Sequence, residues 1–146
     1  MIVGCNSVIG AEGFQVLKDK KGDNFIASHS GGCKLCENVY IGNNTVIAKS
    51  IFEGYTLIGK NTKIADLVCV SHNVSIGENS VLTAGVIIAG GVTVEDNIFL
   101  GINSCVNNKV VIERDAFIRM GSVVIGNVNS GVRVVGNPAR PQKIQI

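Results

Sequence analysis

Two histidines, His29 and His72, occur among the 146 residues, and His72 stands in the setting better suited to chemistry. It follows Val70 by two places in a run where an aliphatic residue recurs every six positions, so it falls at a corner and points outward. Eighteen residues, three steps of that run, separate it from Gly54 before and from Gly90 after. Two glycines flanking a histidine leave an open slot on that edge. A neutral imidazole there is suited to removing a proton from an amine or hydroxyl nucleophile. The Gly90 backbone N–H can stabilise the oxyanion formed as such a nucleophile attacks a thioester. The competing reading is a solvated corner histidine with no task, but departures from an otherwise regular pattern tend to mark functional sites.

Other reactive side chains read less sharply. Glu53 lies eighteen residues before Ser71, which would set it one layer below the His72 edge, where it could orient the imidazole or remain a solvated carboxylate. His29 falls in an irregular stretch and reads as a solvated or loop-ordering residue. The five cysteines, Cys5, Cys33, Cys36, Cys69 and Cys105, are odd in number and irregularly spaced, as expected of reduced thiols in a cytoplasmic protein and not of a disulfide framework. Cys33-x-x-Cys36 has no second pair at zinc spacing, so no metal site is expected. Lys109, Arg114, Arg119, Arg133, Arg140 and Lys143 gather toward the C-terminal end, where they suit the phosphates of a nucleotide-bearing carrier or simply serve solubility.

The elements that must hold these residues come from the repeat. From Ile58 to Val124 an aliphatic residue stands at every sixth position for twelve hexads, and a small or β-branched residue follows each by four, from Thr62 through Ser122. A helix would repeat near 3.6 residues and a lone half-buried strand near 2. Period six fits a coil of short strands with a turn between each pair and two inward positions per hexad. Three hexads close one triangular coil, and coils stack at about 4.8 Å by backbone pairing. Val3, Ile9, Leu35, Ile41 and Ile47 extend the register upstream, with Phe52 as the next inward residue if one position is missing. The total is about eighteen hexads, six coils and a prism roughly 29 Å tall. One domain over 1–146 is expected, with a loop over 11–34, the β-helix mainly over 35–126, and a tail over 127–146 that leaves the prism because Pro138 and Pro141 block pairing.

Composition agrees. Hydrophobic residues are 46% of the chain but aromatics only 5%, with 18 Gly, 2 Pro and no Trp, so Val, Ile, Leu and Ala must fill the core between frequent bends. A formal charge of +2 argues against nucleic-acid binding by bulk electrostatics. No apolar run is long enough to span a bilayer, and the N-terminus lacks the basic region of a secretory signal.

The hexad run, the Ser71-His72-Asn73 corner and the Val135–Arg140 segment together resemble the bacterial hexapeptide-repeat acyltransferases, over nearly the whole chain. The resemblance implies an all-β, left-handed parallel β-helix; the left hand comes from the family, since crossover chirality alone favours the right. Phe99–Val106 is similar to sugar-nucleotide acetyltransferases of the bacillosamine and sialic-acid type. In these, His72 corresponds to a base, Gly90 to the glycine whose N–H receives the acetyl carbonyl, and Gly136, Asn137, Pro138, Ala139 and Arg140 border acetyl-CoA near its nucleotide end. Gly91 and Lys109 are expected on the same cofactor-binding edge. Those enzymes carry glutamate directly after the histidine, where this chain has Asn73, so either Asn73 or Glu53 must orient the ring. They also usually carry an N-terminal nucleotide-reading domain, whereas this chain begins inside a hexad, as a fragment or a stand-alone enzyme would.

Ser7–Phe14 and Lys63–Asn73 look very like the N-acyltransferase of lipid A synthesis, which uses an acyl carrier protein. Its Asp-Arg-Gly stretch is absent from 47–54, and Lys109 replaces its second histidine. The resemblance therefore implies acetyl transfer from acetyl-CoA to an amino or hydroxyl group of a sugar or sugar nucleotide, with acyl-carrier-protein-dependent N-acylation second and a non-catalytic scaffold third. The zinc carbonic anhydrases of this fold need three histidines per site, which this chain lacks. The reaction needs a walled groove that one convex prism does not offer, so a homotrimer is expected, with outward Val81, Ile87 and Val111 covered between subunits.

Overall fold

A computed structural model describes residues 1–142; Lys143 and the end of the expected tail lie outside the described residues. The chain is an all-β, left-handed parallel β-helix, and no helix occurs among the described residues. Strands of mostly two residues stack into three parallel sheets. The first runs through Ile2–Val3, Tyr40–Ile41, Lys63–Ile64, Val81–Leu82, Phe99–Leu100, Phe117–Ile118 and Arg133–Val135. The second holds Val8–Ala11, Val46–Ala48, Cys69–Val70, Ile87–Ile88, Cys105–Val106 and Val123–Val124. The third holds Gly32–Leu35, Tyr55–Ile58, Ser75–Ile76, Thr93–Val94 and Val111–Ile112.

The expected inward positions form the core. Ile58, Ile64, Val70, Ile76, Leu82, Ile88, Leu100, Ile112 and Ile118 are all fully buried, and every second inward residue from Thr62 to Ser122 is buried as well. Removing the side chain of one such Ile or Leu costs about 2–5 kcal/mol. Where Thr or Ser takes the smaller position its hydroxyl can bond the ladder, as Thr45 Oγ1 does to the Ala65 carbonyl at 2.9 Å and Thr62 Oγ1 to that of Gly77 at 2.8 Å.

Three expectations about boundaries need correction. Phe52 is not inward but largely exposed: Ile47 pairs with Val70 and Ile58 with Leu35, so Ile47 to Ile58 is a single step with five extra residues thrown out at the corner. The expected loop over 11–34 is shorter, because Ala11 pairs with Ala48 and Gly32–Leu35 pairs with Tyr55–Ile58. Its middle is an antiparallel hairpin of Val16–Lys18 and Asn24–Ile26. The chain also does not leave the prism at 127. Val128 bridges Ile112, Val134 pairs with Ile118, and Arg140–Pro141 returns antiparallel on Val134–Val135. Pro141 is tolerated because this strand lies at the edge of its sheet, where a missing N–H breaks no ladder.

Candidate active site

The two insertions meet at one corner, between the second and third sheets, and His72 stands there. The Cys69–Val70 strand delivers it, and the turn is closed by Asn73 at φ 57°, a left-handed conformation that asparagine tolerates better than most residues. The Asn73 amide is fixed by its neighbours. Its Nδ2 donates to Ser50 Oγ at 2.7 Å, its Oδ1 accepts the Ile51 N–H at 3.1 Å, and its own N–H donates to Thr56 Oγ1 at 3.0 Å. A backbone N–H can only donate, so the atom facing Ile51 is the amide oxygen. That same oxygen lies 3.2 Å from His72 Nδ1. An acceptor there places the ring proton on Nδ1 and leaves Nε2 with its lone pair.

Gly90 forms the floor. A Cβ on it would stand 2.7 Å from His72 Nε2 and 3.0 Å from Nδ1, and closer still to Cε1; the ring lies against a backbone that only glycine leaves bare. The ladder uses the N–H groups on either side, Ala89 to Val106 and Gly91 to His72, both at 3.0 Å. The Gly90 N–H takes no backbone acceptor among the described residues. Lys109 N–H donates to the Gly90 carbonyl at 3.1 Å, and by register Gly91 and Lys109 stack above Asn73, beside the column of His72 and Gly90.

Beneath His72 the expectation fails. The five-residue insertion shifts the register to 23, so the residue one coil below is Lys49 and not Gly54. Glu53 likewise lies in the insertion and not below Ser71. Its side chain is exposed and its backbone carbonyl accepts Ser50 Oγ at 3.3 Å, whereas the orienting contact to His72 comes from Asn73. Gly136–Arg140 stands apart from the corner column. Gly136 accepts the Val123 N–H at 2.9 Å and Ala139 donates to the Val123 carbonyl at 2.8 Å, which sets these two residues against the last strand of the second sheet, at least three coils above His72, roughly 14 Å or more, while Arg140 pairs with Val135 on the first sheet. Ala139 and Arg140 line, with Val124–Asn129, an open cavity of about 240 Å³.

His29 is the residue that sequence reasoning missed. It is not solvated: it is 3% exposed, and its ring meets that of His72 edge-on, with centroids 5.5 Å apart and planes at 87°. Nothing in the local sequence signals this, since the contact depends on how the hairpin-bearing insertion folds back. Glu12 Oε2 accepts the His29 N–H at 3.0 Å, and Glu12 pairs with Lys49 at 2.7 Å. The hydrogen bond from Lys49, then that from the His29 backbone, hold the Glu12 carboxyl below the usual carboxylate range. The cysteines are free. Burial pushes the Cys33 and Cys69 thiols up, so they are neutral at neutral pH. Among the described residues no cluster of three or more His, Cys, Asp or Glu is placed to hold a metal.

A three-sided column of six-residue steps defines the class, and the repeat of the bacterial transferase hexapeptide family (six repeats) matches residues 55–90. The chain carries hexapeptide repeats of the bacterial transferase type. A UDP-3-O-acylglucosamine N-acyltransferase of Desulfotalea psychrophila is 44% identical over 137 residues, covering 94% of this chain and 39% of that protein. The protein of the same name from Helicobacter pylori is 37% identical over 86 residues, 59% of this chain and 25% of that one. The chain therefore spans well under half the length of these relatives. A UDP-N-acetylglucosamine acyltransferase of Arabidopsis superposes with a TM-score of 0.78 at 28% identity, over 96% of this chain and 46% of that one. A perosamine N-acetyltransferase of Caulobacter crescentus shares the fold, with a TM-score of 0.61 at 23% identity over 80% of this chain and 56% of that one.

Proposed function

We propose that this chain transfers an acyl group from a thioester carrier to the amino group of a nucleotide-linked sugar, with His72 as general base. The observation that carries the reading is the His72 corner, where Asn73 Oδ1 lies 3.2 Å from Nδ1 and Gly90 stands bare beside the ring. Nε2 takes a proton from the amine as its nitrogen attacks the thioester carbonyl carbon. The C–N bond forms, the carbonyl electron pair moves onto oxygen, and the Gly90 N–H meets that charge. Collapse breaks the C–S bond, and the proton on Nε2 passes to the departing thiolate, restoring neutral imidazole.

The shared name of the curated relatives supports an acceptor of the UDP-3-O-acylglucosamine kind. It also favours the N-acyltransferase resemblance, which implies an acyl carrier protein as donor, over the acetyl-CoA reading that the sequence resemblance set first. Acetyl-CoA is the second reading, favoured by the resemblance of the Gly136–Arg140 segment, whose Gly136 and Ala139 bond Val123 of the sheet that delivers His72. A homotrimer would wall the slot, and the outward column of the second sheet, Val8, Val46, Cys69, Ile87, Cys105 and Val123, supports it because every member is apolar.

The test is free-thiol release by the full chain, pairing acyl carrier protein or acetyl-CoA with UDP-3-O-acylglucosamine or unacylated UDP-amino sugars. The expected result is that acylated carrier protein with UDP-3-O-acylglucosamine exceeds the acetyl-CoA pairings by about tenfold or more in kcat/KM, a difference of about 1.4 kcal/mol. The reverse order would establish the second reading. No thiol release in any pairing would contradict acyl transfer.

A further inference from the structure

We propose that His29 is a positioning residue for His72: the hairpin-bearing insertion presses its imidazole edge-on against that of His72 and so holds Nε2 toward the acyl-transfer slot. The proposal rests on the reading of His72 as the base. Three sides of the His72 ring are then accounted for, with Gly90 at one face, Asn73 at Nδ1 and His29 in perpendicular contact. An edge-on pair sets the electropositive rim of one ring against the electron-rich face of the other, the arrangement aromatic rings prefer.

His29 itself is built in from several directions. Its ring lies against Gly13, where a Cβ would collide with Cε1 and Nδ1. Its backbone is tied to Glu12, which is tied in turn to Lys49, the residue one coil below His72. Neither ring nitrogen has a hydrogen-bond partner among the described residues. Burying unpaired nitrogens destabilises a fold, so fold stability alone does not explain an imidazole at this position. What the ring touches does: its neighbour is the base.

The experiment compares His29→Ala and His29→Phe with the unaltered chain by thiol release and by long-range proton–nitrogen NMR spectra of the histidine rings. His29→Ala should lower kcat about tenfold to a hundredfold, as loss of alignment does, with KM for both substrates unchanged. His72 should then lose the single Nδ1-protonated signal. His29→Phe keeps an aromatic edge and should restore both readouts. If His29→Ala fails to fold, Gly13→Ala displaces the same ring and is read the same way. An unchanged kcat and His72 spectrum in His29→Ala would overturn the proposal, as would a change confined to KM. If the unaltered chain releases no thiol, the acyl-transfer reading fails by itself, and the spectra still decide whether His29 positions His72.

Discussion

The corner after the Cys69–Val70 strand needs a residue that accepts a left-handed backbone, and the base beside it needs a hydrogen-bond acceptor; Asn73 supplies both at once. On the proposed reading, Asn73 takes the part of the glutamate that follows the histidine in the bacillosamine-type acetyltransferases that the sequence resembles. Asn73→Ala should lower kcat about threefold to tenfold, the kinetic equivalent of one ordinary hydrogen bond of about 0.5–1.5 kcal/mol, with donor KM held. Asn73→Asp keeps the acceptor and should recover most of the loss. Steady-state kinetics on the three proteins check this, and equal kcat throughout would show that Asn73 does not set the tautomer. At this scale His72, Asn73 and Gly90 were legible because each departs from or adjoins the repeat. Gly54, Glu53 and His29 were misread for one shared reason: all three depend on the insertions, whose path the local sequence does not state.

Regular elements follow from the six-residue rhythm, and their turns show a second rule that the inward pattern does not reveal. Three residues after most inward aliphatics, though not after Ile9, Ile47 or Val124, the backbone turns left-handed. That position is Asn at 6, 38, 44, 61, 73, 79, 97 and 103, Gly at 85, 91 and 121, Lys at 109 and Asp at 115. Leu67 takes the same conformation at φ 60° and is exposed. A branched side chain there is strained, so Leu67→Asn should stabilise the fold by about 1 kcal/mol. A raised urea midpoint with unchanged slope would confirm it, and an unchanged midpoint would contradict it. Counting alone could not separate one missing residue from five extra ones between Ile47 and Ile58, since two steps less one residue and one step plus five span the same distance along the chain. Only the pairing of Ile47 with Val70 decides it, and that pairing moved Lys49 under His72.

Across the whole molecule the three expected interface residues lie on different sheets: Val81 on the first, Ile87 on the second and Val111 on the third. One flat contact cannot cover all three. The second sheet, which delivers His72, is the face with the unbroken apolar column, so assembly through it would also close the slot. Ile87→Glu would set a charge in the middle of that column and should convert a trimer to monomer, with loss of turnover although Ile87 is not part of the His72 corner. Sedimentation velocity at micromolar concentration checks it. A monomeric unaltered chain, or a trimer untouched by Ile87→Glu, would contradict assembly through this face.

The measurement closest to the central claim is single-turnover thiol release by His72→Ala beside the unaltered chain, with the best donor and acceptor pair. Loss of a general base at this corner should slow the chemical step by about a hundredfold to ten-thousandfold while donor binding holds. A rate equal to that of the unaltered chain would remove the His72 imidazole from the reaction.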